Sequence, residues 1–157
     1  MFYEKNMMHF LKYQICLKLI LSCIGFFLGS THLNAHEENF NSLVIFHPYL
    51  IKEGNKEALG FLSIENIGSK AEYLIKIIPQ FSTGYRLWKR GEDDDFIEIN
   101  LSVGVEIPPS EAIYIDQDDF KLIFVGLDES LDWFEAHVAT FVFQTAGAVE
   151  LDFEVEE

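Results

Sequence analysis

Neither cysteine nor methionine occurs after Cys23. Their absence excludes a Cys nucleophile, a thiolate zinc site and an iron–sulfur cluster from the rest of the chain. It also leaves no disulfide to staple an exported domain, which must hold by its core alone. Histidine is nearly as scarce. Past residue 35 only His36, His47 and His137 remain, with none between Pro48 and Ala136. Basic charge is short as well: 11 Lys and Arg face 26 Asp and Glu in 157 residues, for a net charge of −15. A chain this acidic repels phosphate, so nucleic acid is excluded as a partner. No Ser-His-Asp spacing and no Gly-rich phosphate loop is present, so no enzyme is expected. Disorder is excluded by what is abundant, 49% hydrophobic residues and 15 Phe.

Residues 1–35 read as a signal peptide. Lys5, Lys12 and Lys18 outweigh Glu4, Leu19 to Gly29 is apolar and uncharged, and Leu33-Asn34-Ala35 ends in a small residue. Cleavage is expected after Ala35, with export to the periplasm and membrane contact only through the leader before cleavage. A retained anchor is the main alternative, but the uncharged stretch of about 13 residues falls short of the ~20 that span a bilayer. Lipid attachment at Cys23 is disfavoured because the apolar run continues through Phe27 and Leu28. Cleavage leaves one domain, 36–157, in which 8 basic and 25 acidic residues give −17.

That domain reads as strands. Val149, Leu151, Phe153 and Val155 alternate with Glu150, Asp152, Glu154 and Glu156, which predicts one apolar face. Ile97, Ile99 and Leu101 alternate with Glu98 and Asn100, and Ile113 and Ile115 with Tyr114 and Asp116. Further β-rich runs are 43–46, 58–65, 73–78, 121–125 and 137–144. Turn signals separate them at Gly54, at Asn66-Ile67-Gly68-Ser69, at Pro108-Pro109-Ser110, at Gly126 and at Gly147. The spacing predicts an all-β antiparallel sandwich or Greek-key barrel. Gly91-Glu92-Asp93-Asp94-Asp95 reads as a solvated hairpin tip, with a weak calcium site as the alternative.

Five segments, in order, resemble a known family. They are His47-Pro48-Tyr49, Gly60–Gly68 (Gly-Phe-Leu-Ser-Ile-Glu-Asn-Ile-Gly), Gly104-Val105-Glu106-Ile107-Pro108-Pro109, Gly126-Leu127 with Leu131, and Thr145–Glu150. Together they are similar to the periplasmic copper chaperones called PCu(A)C, over Leu43 to Val155. The resemblance implies a cupredoxin-like β-barrel, copper as the bound metal, and delivery to a respiratory oxidase. The implied partner is an exported or membrane-bound oxidase-assembly protein. It also implies two His-x-Met pairs on neighbouring strands. Counted from Gly104 and Gly126, those pairs fall on Trp88 and Arg90 and on Lys121 and Ile123. None is a Cu(I) ligand, and Arg90 and Lys121 add charge that opposes a cation.

The expected convergence of these four replacements gives a geometric test: Trp88 and Lys121 should meet. Either cation is then expected on the Trp88 ring, with Asp118, Asp119 or the 92–95 loop neutralising the rest. Trp88 is also a candidate contact for a partner. The remaining metal candidates are His36, whose free amine and imidazole could chelate Cu(II) after cleavage, and His47 as a further nitrogen. His47, at a strand end before Pro48, and His137, beside Trp133 and Phe134, otherwise read as structural. Two functions follow: a divergent copper chaperone with a degenerate Cu(I) site, or a metal-free protein-binding module on the same fold.

Overall fold

The period-2 pattern near the C-terminus becomes a strand with Val149, Leu151 and Phe153 buried and Glu150, Asp152 and Glu154 exposed. Val155 is only half-buried, because there the strand leaves its first partner for another. The computed structural model describes residues 37–128, 131 and 137–156. The leader, His36, Trp133 and Phe134 lie outside the described residues.

Among the described residues there are strands and no helix. They are β1 Glu37–Phe40, β2 Leu43–Glu53, β3 Glu57–Asn66, β4 Glu72–Pro79, β5 Ser82–Arg90 and β6 Phe96–Glu98. Then come β7 Val105–Ile107, β8 Ala112–Ile115, β9 Phe120–Leu127, β10 His137–Phe143 and β11 Gly147–Glu156. One curled, mostly antiparallel sheet joins them in the order β6-β5-β9-β8-β3-β2-β11-β10-β4-β7, with β1 on β2 and β9 also on β3. The expected all-β architecture is therefore present. Two pairings depart from the antiparallel expectation: β11 with β2, and a single β8–β9 bridge, are parallel.

The core is built from the inward positions. On β3 every second residue is buried, from Ala58 to Asn66. Phe124 meets Phe81 at 4.8 Å and Phe153 at 5.6 Å, and Phe153 meets Phe141 at 6.1 Å between ring centroids. Such ring pairs add to what burial alone contributes.

Several sequence expectations need correction. His47 is not at a strand end. It lies within β2 at a bulge, with φ 48°, where His47 and Pro48 of β2 stand opposite the single residue Leu62 of β3. Before the bulge β2 pairs with β1, and after it with β11, so the kink is where the strand changes partner. The 97–101 alternation yields only the short β6: Ile97 is 56% exposed and Leu101 is buried in a turn. Gly126, read as a turn, sits inside β9 with φ 64°. β5 carries no clear alternation in sequence, yet it is paired on both sides.

Candidate functional site

β5 and β9 run antiparallel with Trp88 opposite Lys121 and Arg86 opposite Ile123. Residues two apart share a face of a strand. Leu87, Leu122 and Phe124 fill the inner face. Trp88, Arg90, Lys121 and Ile123 therefore share the outer face, and the two residues of the geometric test are direct cross-strand neighbours.

The charge around them is arranged on a different ring from the one expected. Lys121 Nζ lies 3.8 Å from the centroid of Phe96, and the Arg90 guanidinium carbon 5.4 Å from it. Trp88 carries neither cation. Pairing explains this: β6 places Phe96 opposite Arg90, whereas Trp88 faces Glu98. The 92–95 segment is the exposed loop of this β5–β6 hairpin. Arg90 donates from Nη1 to Asp94 at 2.8 Å and from Nη2 to Asp118 at 3.2 Å, while its Nε bonds the Asp118 carbonyl. Its N–H donates to the Asp119 carbonyl at 2.9 Å. The hydrogen bond to Asp94, helped by the charges of Asp94, Asp118 and Asp119, raises the guanidinium above its ordinary value against some desolvation. Trp88 is half-buried, and its indole Nε1 is buried without a hydrogen-bond partner. Sequence reasoning missed Phe96, and nothing short of the hairpin register would have found it.

Cu(I) needs thioether, thiolate or imidazole donors. An indole, a guanidinium, an ammonium and a sec-butyl group supply none. Copper therefore does not fit these four residues, and two fixed cations add repulsion. Among the described residues, no three His, Cys, Asp or Glu side chains come together as a metal-holding group.

The remaining candidates are elsewhere. His47, on β2, is separated from β9 by β3. Its Nε2 meets Glu156 Oε1 at 2.9 Å, with the two side chains 52% and 41% exposed. Its ring lies 5.1 Å from Tyr49, which stacks on Phe61 at 4.6 Å. Burial, then the charges of Glu156 and Asp116, push the Tyr49 phenol up. His137 is buried and packs edge-on against Phe81 at 5.6 Å.

Two buried polar residues hold the chain in ways the sequence did not reveal: Asn66, read only as part of a turn, and Glu72, not singled out at all. Asn66, ending β3, donates from Nδ2 to the carbonyls of Ile107 at 2.9 Å and Lys70 at 2.8 Å, and accepts from Gly68 N–H at 2.9 Å. Glu72, 3% exposed, accepts from the N–H groups of Tyr73, Thr145 and Ala146 at 3.0, 2.9 and 2.8 Å. That clip ties β4 to the β10–β11 turn. All its donors are backbone groups, which marks a structural carboxylate.

No family model and no curated protein matches the chain. Solved structures do. The copper-bound PCuAC domain from PmoF2 is 20% identical with a TM-score of 0.65, covering 77% of this chain and 97% of that domain. The apo PCuAC domain from PmoF1 is 21% identical at 0.63, covering 77% and 98%. Cu(I)-DR1885 from Deinococcus radiodurans is 11% identical at 0.57, covering 81% and 85%. At these identities the likeness is one of fold. The chain has a PCuAC-like fold.

Proposed function

We propose that this protein acts in the periplasm as a metal-free, protein-binding module on the copper-chaperone fold, serving oxidase assembly through an exported or membrane-bound partner. The observation that carries the reading is Lys121 Nζ at 3.8 Å from the Phe96 ring, beside Trp88, where the sequence resemblance implies Cu(I) donors. A tethered ammonium supplies the positive charge there without a metal. The leader pattern of residues 1–35 supports export. The fold neighbours support the link to copper proteins but not Cu(I) carriage by these side chains.

The test is copper content of protein purified from the periplasm, followed by competition against a Cu(I) chelator. The expected result is no stoichiometric Cu(I). Tight one-to-one binding by wild type would overturn the reading. A second reading, Cu(II) carriage at His36 and His47, rests on the exposed imidazole of His47 beside the Glu156 carboxylate. It predicts Cu(II) binding that disappears when the mature N-terminus is acetylated.

A further inference from the structure

β5 is paired along most of its length on one side and only at its end on the other. Toward β9 the ladder covers Ser82 to Lys89; toward β6 it covers Trp88 to Arg90. One more bond, from Ile99 N–H to the Leu87 carbonyl at 2.8 Å, extends the second ladder before the chains part. Successive residues in an antiparallel strand bond to opposite sides. Arg90 N–H bonds toward β9 and the Leu87 carbonyl toward residue 99. Tyr85, two residues before Leu87, therefore turns its N–H and C=O to the open side. There it has no ladder partner among the described residues. An open groove of about 580 Å³ occupies the fork, walled by Gly84–Leu87 on one side and residues 98–101 on the other.

The chemistry of the fork selects its occupant. An unpaired strand edge is satisfied by another extended backbone. A wall of four residues is about 13 Å long, room for a short strand and no more. Arg86, on that wall, sends its guanidinium away from the fork, across β9, where Nη2 donates to Glu57 of β3 at 2.8 Å. Exposed Glu98 on the opposite wall and the strong excess of acidic over basic residues in the chain favour cationic side chains.

We propose that this fork is a strand-addition groove that takes a short extended segment of another polypeptide bearing Lys or Arg. The inference rests on the reading of the protein as a partner-binding module and names the surface used. The probe is a blocked hexapeptide of alternating Lys and Val, titrated into the isotope-labelled periplasmic protein and followed by amide NMR. The control peptide has the same sequence with alternate backbone nitrogens methylated, which keeps the charge and abolishes the ladder. Saturable shifts centred on Tyr85 and residues 98–101 are expected, with at least about tenfold weaker binding of the methylated peptide. The exposed variant Glu98→Lys should also weaken binding. Equal affinity for both peptides, shifts spread over the acidic surface, or no binding would overturn the groove. Copper competition is scored separately. A protein that held Cu(I) tightly yet bound the peptide at Tyr85 would sink the metal-free reading and leave the groove standing.

Discussion

Glu72 and Arg90 are both charged side chains with several partners, but their surroundings differ. Glu72 is 3% exposed and held by three backbone N–H groups, one on β4 and two in the β10–β11 turn. Arg90 is held by Asp94 and Asp118, whose side chains are 81% and 84% exposed. A buried carboxylate has exchanged water for fixed donors, so removing it strands those donors in the interior. Exposed ion pairs give up little, because water and salt replace each partner. The β4 and β10–β11 region is therefore where polar groups stabilise the fold. The β5–β6 region keeps its charges in solvent, the surface on which the proposed partner would act.

The largest test of this contrast is Glu72→Ala. It leaves the N–H groups of Tyr73, Thr145 and Ala146 without their acceptor. A loss of about 3 kcal/mol in urea unfolding is expected, with the slope against urea unchanged. Lys121→Ala should cost less, about 0.5–1 kcal/mol, since it removes a single ammonium–ring contact on the outer face. Copper affinity should stay the same in that variant. If Lys121→Ala destabilised more than Glu72→Ala, the assignment of stability to one region and recognition to the other would be reversed.

Much of the fold was legible because its strands are one-sided. The alternation at residues 149–153 predicts which side chains are buried. The turns at Gly54, Ser110 and Gly147 carry the positive φ their residue signals imply. The site was legible only in part. Counting along the chain placed Trp88, Arg90, Lys121 and Ile123 together, because β5 and β9 pair in a register that preserves the spacing. The ring that holds the cations was not legible, since Phe96 joins the cluster only through the hairpin. Nor could sequence separate Glu72 from the other 25 acids: its burial depends on the Thr145-Ala146 turn arriving from 73 residues away. Asn66 likewise reads as a turn former, yet its side chain is spent on buried carbonyls of β7 and residue 70.

A smaller effect is expected at alkaline pH. Burial raises the Tyr85 phenol above its ordinary value, and burial with nearby acids raises Tyr49. Below the unfolded value of about 10 both phenols are neutral in either state, and the contribution is fully present. As pH rises past that value the unfolded chain ionises first, and stability falls until the raised folded values are passed. Tyr85→Phe should flatten part of that fall in urea unfolding measured at successive alkaline pH values. An unchanged profile in both Tyr85→Phe and Tyr49→Phe would show that neither phenol carries it.

Salt should separate the two regions most finely, because it acts on them in opposite directions. The screening length drops from about 10 Å at 0.1 M to about 3 Å at 1 M. Repulsion among the acids of a chain with net charge −15 acts over longer distances and is largely removed, which favours the folded state everywhere. The Arg90 contacts, at 2.8 and 3.2 Å, are attractive and exposed, so they weaken. Two amide protons report the difference. Ala146 N–H is bonded to Glu72, and Arg90 N–H to the Asp119 carbonyl. Exchange at Ala146 should slow in 1 M salt as global stability rises. Exchange at Arg90 should slow less, or quicken, because the Asp118 pairing that steadies residues 118–119 has loosened. Equal slowing at both amides would mean that the hairpin end opens only when the whole domain does, and that the two regions are not energetically distinct.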